Sequence, residues 1–116
     1  MRIKQARTQD ELKDVRTLFR EYEAYLNVDL CFQGFEEELA NLPGKYSHPE
    51  GEILISLDGE TIIGCVALRK LADDVCEMKR LYVKPHARGT GVGRELARAI
   101  IASARDLGYS AIRLDT

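Results

Sequence analysis

The chain has 116 residues, 45% of them apolar and 31% charged, with a formal net charge of −2. That length holds a single domain (residues 1–116) with an adequate core. The near-neutral balance gives no general reason to expect nucleic acid or an anionic membrane as a partner.

Met1 to Ala6 reads as a short strand around Ile3. Thr8-x-x-Glu11 is a capping box, in which each side chain reaches the other residue's backbone N–H. The helix it opens carries Leu12, Val15, Leu18, Phe19, Tyr22, Tyr25 and Leu26 on one face, and Tyr22 and Tyr25 read as core at that spacing. Asn27 to Gly34 is a loop. A short second helix covers Phe35 to Leu42 and is stopped by Pro43-Gly44. Two apolar runs, Ile53 to Leu57 and Thr61 to Leu68, flank Asp58-Gly59-Glu60, a strong hairpin signal. Ala72-Asp73-Asp74 is the next turn, and Val75 to Val83 a third strand of the meander. A long helix follows from Val92 to about Leu107, with Leu96, Ile100 and Ala104 at near-helical spacing and Gly108 as its C-terminal signal. Ala111 to Leu114 begins one more strand.

Cys31, Cys65 and Cys76 show no metal-ligand spacing; Cys65 and Cys76 fall on neighbouring strands and read as buried thiols. Arg2 to Glu11 is too polar for a signal peptide, so reduced thiols and a cytoplasmic location are expected. No apolar run approaches a membrane span.

The most informative stretch is Leu81-Tyr82-Val83-Lys84-Pro85-His86-Ala87-Arg88-Gly89-Thr90-Gly91-Val92-Gly93, a strand, a turn, a glycine-rich loop and a helix start. Gly89, Gly91 and Gly93 leave backbone N–H groups unobstructed at the positive end of a helix dipole, where a phosphate or pyrophosphate binds. A Walker loop needs Gly-Lys-Ser/Thr, but Gly93 is followed by Arg94 and Glu95. A dinucleotide G-x-G-x-x-G fails in both registers, at Arg94 and at Leu96.

What remains, Val83-x-Pro85-x-x-Arg88-Gly-x-Gly-x-Gly, resembles motif A of the GNAT superfamily of N-acetyltransferases. The order strand, two helices, three strands, helix, strand is similar to the first two-thirds of that fold. The resemblance implies an α/β (α+β type) domain: a mixed, mostly antiparallel central sheet with helices on both faces, its C-terminal strands missing. It implies acetyl-coenzyme A as co-substrate, with no metal. The pyrophosphate would lie on the backbone of Gly89, Thr90, Gly91, Val92, Gly93 and Arg94. Arg88 would either add charge-assisted contacts or brace the loop. The pantetheine arm would pair with the backbone of Leu81, Tyr82 and Val83 as strand addition, while Leu81 and Val83 also serve as core.

Glu77 lies four residues before Leu81, on the strand face shared with Lys79, Leu81 and Val83 by simple alternation. In some relatives a glutamate at this offset is the general base that takes the amine's proton. The plainer reading pairs it with Lys79 or Arg80. Phe32 and Gln33 lie where relatives shape the acceptor pocket. The relatives' general acid is a tyrosine on a helix beyond the last strand seen here, and no residue of this chain takes that position.

The expected activity is therefore acetyl transfer to a primary amine of a small molecule or peptide. The alternative is a coenzyme A-binding sensor or regulatory module with little transferase activity. A nucleotide-binding domain is a third, weaker reading. The last strand, unpaired by pattern alone, invites a second copy, so a homo-oligomer is expected.

Overall fold

The computed structural model describes residues 1–26 and 34–114. In chain order these form β1 (Arg2–Gln5), α1 (Gln9–Leu26), α2 (Phe35–Ala40), β2 (Glu52–Asp58), β3 (Thr61–Ala72), β4 (Val75–Val83), α3 (Val92–Asp106) and β5 (Ala111–Leu114). One sheet runs in the order β1-β2-β3-β4-β5. The first four strands pair antiparallel, and β5 pairs parallel to β4 with Val75 opposite Ala111 and Met78 opposite Leu114. A parallel neighbour needs a crossover, and α3 is that crossover.

Two apolar layers sandwich the sheet. On one face Leu12, Val15, Leu18, Phe19 and Tyr22 of α1 and Phe35 and Leu39 of α2 cover Ile53, Ile55, Cys65, Ala67 and Tyr82. On the other, Val92, Leu96, Ile100 and Ala104 of α3 cover Leu54, Ile63, Val66, Leu68, Cys76 and Met78. The central strands therefore read as near-continuous apolar runs, each side chain finding a helix on one face or the other. Emptying one of these positions, such as Leu96→Ala, costs about 2–5 kcal/mol.

The start of α1 follows the expected chemistry. Thr8 Oγ1 accepts from the Glu11 N–H at 3.1 Å, and Glu11 Oε1 accepts from the N–H groups of Thr8 at 3.0 Å and Arg7 at 2.9 Å. The far end differs from the periodicity. Tyr25 is 60% exposed and Leu26 37% exposed; the Tyr25 ring meets Tyr82 of β4 edge-on, with centroids 6.0 Å apart, and lies at the rim of the buried face. The Asp58-Gly59 hairpin forms as read, with Gly59 at φ 63°. Cys65 and Cys76 are buried free thiols. Gly64 faces α3, where an added Cβ would come within 2.9 Å of Leu96 Cδ1 and 3.1 Å of the Tyr82 carbonyl oxygen, so the helix rides close to the sheet. No helix among the described residues is long and apolar enough to cross a membrane.

Candidate active site

The site begins with an irregularity in β4. Cys65 stands opposite Tyr82 and Ala67 opposite Lys79, so Arg80 and Leu81 together face the single residue Val66. This is a β-bulge, the extra residue being Arg80, with φ at +62°. The bulge inverts the alternation of the strand. Cys76, Met78, Leu81 and Val83 pack toward α3, whereas Tyr82 packs toward α1. The expectation that Glu77 and Lys79 share a face with Leu81 and Val83 is therefore corrected. They lie on the α1/α2 face, because the inserted residue shifts every later side chain by one position.

The same strand presents an open edge. Val83 stands opposite Gly64, and the Lys84 N–H donates to the Ile63 carbonyl at 2.8 Å. In an antiparallel ladder alternate residues bond to the same neighbour, so the polar groups of Tyr82 turn toward β3 and those of Leu81 and Val83 turn away. On that far side β5 pairs only with Val75 to Met78. From Lys79 to Val83 the edge has no strand partner among the described residues. The backbone of Leu81 and Val83 thus lines an open cleft along the β4 edge, beyond the last pair that β4 forms with β5, Met78 and Leu114.

The glycine loop closes one end of this cleft. A single 3₁₀ turn, Pro85–Ala87, follows β4, and Gly91 at φ 90° is the N-cap of α3 without any side-chain cap. Gly89 also takes a positive φ, 81°. These two positions need glycine, since other residues rarely adopt the left-handed region. The first α-helical bond returning to the loop is Glu95 N–H to the Gly91 carbonyl at 3.0 Å. The N–H groups of Val92, Gly93 and Arg94 precede it and have no intrahelical acceptor. The Thr90 hydroxyl donates to the Ala87 carbonyl, tightening the loop.

Arg88 folds back onto the strand and helix that flank its loop. Its Nε donates to the Val83 carbonyl at 2.9 Å, and its guanidinium lies 4.2 Å from the ring centre of Tyr25 and 5.5 Å from that of Tyr82. Beneath it, Glu21 of α1 accepts from the Tyr82 hydroxyl at 3.2 Å and from Lys84 Nζ at 3.0 Å. Burial is the first cause that raises the Tyr82 phenol above its ordinary range, with the Glu21 carboxylate adding to it.

Glu77 is buried and pairs with Arg69. Oε1 accepts from Arg69 Nε at 3.0 Å, across the β3–β4 pair in which the two residues stand opposite each other. Arg80 is held instead by Glu38 of α2, through Nε to Oε2 at 3.1 Å and a terminal nitrogen to Oε1 at 3.0 Å. Burial raises the Cys65 thiol strongly, which suits a packing residue and not a nucleophile. His48 and His86 are exposed. Phe32 and Gln33, the acceptor-pocket candidates, lie outside the described residues, as does Cys31. No cluster of His, Cys, Asp or Glu able to hold a metal occurs among the described residues.

Several members of this arrangement carry no sequence signal. Arg80 sits mid-strand, where a positive φ is not expected of arginine. Glu21 and Tyr25 sit on a helix whose periodicity marks only its buried stripe. Their roles come from what crosses them in space.

Residues 12–116 match the acetyltransferase (GNAT) family. The chain belongs to that family. It is 43% identical to an uncharacterised N-acetyltransferase of Schizosaccharomyces pombe over an alignment of 108 residues that covers 91% of this chain and 66% of the relative. An uncharacterised N-acetyltransferase of Dictyostelium discoideum is 28% identical over an alignment covering 100% of this chain and 82% of its own. The chain thus spans just under two thirds of the length of the fission-yeast relative. Among solved structures, a GNAT-family acetyltransferase of Staphylococcus aureus superposes with a TM-score of 0.81 at 17% identity, covering 99% of this chain and 72% of the other. An aminoglycoside acetyltransferase from a soil metagenome, solved with sisomicin, gives 0.72 at 16% identity over 99% and 76%. At such identities these two likenesses concern the fold alone.

Proposed function

We propose that this chain transfers an acetyl group from acetyl-coenzyme A to a primary amine. The carrying observation is the juxtaposition of the uncapped α3 N-terminus with the open β4 edge. The unpaired N–H groups of Val92, Gly93 and Arg94 suit a pyrophosphate, and the outward-facing backbone of Leu81 with the N–H of Val83, whose carbonyl Arg88 occupies, suits the amide-bearing arm that follows it. Gly89, Thr90 and Gly91 shape that loop, and Arg88 with Tyr82 supports it from below.

In this reading the amine enters from the α1/α2 face; Phe32 and Gln33 stay pocket candidates on the family resemblance alone. Its nitrogen bonds to the acetyl carbon, the carbon–sulfur bond breaks, and the thiolate leaves with coenzyme A. The amine's proton passes to a base, for which Glu77 is our candidate: it is a buried carboxylate on the acceptor face, reached directly or through water. Positioning and polarisation by the Leu81 N–H carry most of the rate. The buried thiols and the absence of a membrane-crossing helix among the described residues are compatible with a cytoplasmic enzyme. The β5 edge, with Leu114 59% exposed, suits contact with a second copy of the chain.

One observation favours the second reading, a coenzyme A-binding module without efficient transfer. The Glu77 carboxylate is already engaged by Arg69. Calorimetric titration with acetyl-coenzyme A, with particle mass measured on the same sample, tests both. Micromolar binding followed by acetylation in an amine screen supports the enzyme. Binding without acetylation supports the module. A folded sample that does not bind would remove both, and a monomer at high concentration would remove the self-association.

A further inference from the structure

We propose that Arg80 is a positioning residue for the thioester, acting through the β4 bulge and held by Glu38; the inference rests on the coenzyme reading of the cleft. Arg80 combines two unfavourable conditions. Its backbone is left-handed, which a non-glycine residue rarely adopts. Its guanidinium is only 2% exposed, so its charge is taken out of water. Glycine would form the bulge with neither penalty. The arginine side chain therefore does something that a bare bulge does not.

Its contacts show what that is. Glu38 grips the guanidinium at two points, 3.0 and 3.1 Å. The rings of Tyr22 and Phe35 flank it at 5.8 and 5.4 Å. One side chain thus ties β4 to both α1 and α2, and α2 begins at Phe35, two residues after Gln33. The backbone that follows Arg80 lines the open edge. The Arg80 carbonyl accepts a weak bond from the Cys65 thiol at 3.5 Å. The ladder fixed by the Lys84 N–H to Ile63 carbonyl bond turns the polar groups of Leu81, the residue after the bulge, away from β3 and into the cleft. The ion pair fixes the guanidinium, the guanidinium fixes the bulge, and the bulge aims the one N–H placed to polarise the acetyl carbonyl. Acceptor-side helix and donor cleft are joined through a single residue.

The test is isotope-edited infrared spectroscopy of acetyl-coenzyme A labelled at the acetyl carbonyl, bound to the wild type, to the E38M/R80M pair and to R80K. The double variant replaces the pair with apolar side chains; it also takes Glu38 from Lys45, whose side chain is 42% exposed and stays solvated; R80K keeps the charge without the two-point grip. In the wild type the carbonyl band moves to lower frequency on binding. In E38M/R80M coenzyme A affinity stays within about threefold, because the loop amides do not touch Arg80, while the band returns toward its free position. R80K shifts it part of the way. If the double variant does not fold, R80K alone carries the comparison. An unchanged band in variants that still bind would overturn this inference and leave the coenzyme reading standing. A folded wild type that binds no acetyl-coenzyme A would overturn both.

Discussion

The guanidinium of Arg88 lies 4.2 Å from the ring centre of Tyr25, so the loop that starts α3 rests on the last turn of α1. Two segments more than sixty residues apart in sequence thereby share one stacked contact, with Tyr82 beneath it. If Arg88 acts by bracing the loop, part of its effect travels through that ring. Tyr25→Leu is expected to weaken coenzyme A binding about two- to fivefold, the worth of an exposed cation–π contact of about 0.5–1 kcal/mol. Arg88→Ala should weaken it more, and the double variant no further than Arg88→Ala alone. Fully additive losses in calorimetric titrations would show that the stack is not the route.

Gly93 separates folding from binding. A Cβ built there meets only Val83 Cγ2 at 3.5 Å, ordinary contact, so the fold tolerates a side chain. Gly93→Asp puts a carboxylate in the first turn of α3, where the helix dipole favours it by about 0.3–1 kcal/mol. The same carboxylate opposes a pyrophosphate and competes for its N–H donors. Thermal stability is expected to hold or rise slightly while coenzyme A affinity falls at least about tenfold, the loss of one hydrogen bond to a charged group. Unchanged affinity would remove the loop from the binding site.

Glu77→Gln keeps the size of the side chain and removes its basicity. As general base, Glu77 predicts a fall in kcat of about 10²- to 10⁴-fold and loss of the acidic limb of the pH–rate profile. A merely structural partner of Arg69 predicts a lower melting temperature with the profile unmoved. Both are read on the same preparation.

The capping box predicts an acid-side stability change. Its bond to Lys4, then that to the Thr8 N–H, lowers the Glu11 carboxyl to about 2. A carboxyl whose folded value lies below its unfolded one contributes stability above the unfolded value and loses it as pH falls. The contribution is therefore complete above about pH 4.5 and disappears as pH falls toward 2. Glu11→Ala is expected to cost about 1 kcal/mol near neutrality and progressively less below pH 4, as followed by urea titrations across that range. An equal cost at every pH would mean that the carboxylate's charge plays no part.

Much of this molecule is visible in its residues. The Thr8–Glu11 box, the Asp58-Gly59 turn and the Gly89–Gly93 loop are local devices, each written within a few positions, and each forms where the pattern puts it. What could not be read is what happens when one strand gains a residue over its neighbour. Strict alternation puts Glu77 beside Leu81, and only the register against β3 reveals the bulge that separates them. The exposure of Tyr25 is likewise tertiary: helical spacing marks which side chains line up, but how much of each its neighbours cover depends on what crosses it, here the edge of Tyr82 and the guanidinium of Arg88. The Arg80–Glu38 pair spans 42 positions and no local rule connects its members.

The parallel pairing of β5 has a consequence for how the cleft behaves over time. Among the described residues, β5 is held to the sheet by four residue pairs with β4, whereas β3 and β4 run together along most of their length. Opening of a structure proceeds where the anchoring is least, so β5 is expected to detach and re-dock more often than the meander unfolds. A coenzyme lodged on the β4 edge beyond Met78, as proposed, would abut the end of β5. Binding and docking would then share one free energy, and amide exchange in Ala111 to Leu114 is expected to slow with coenzyme concentration while that of β2 and β3 does not. A strand too briefly anchored to hold itself would in that case be held by the ligand beside it.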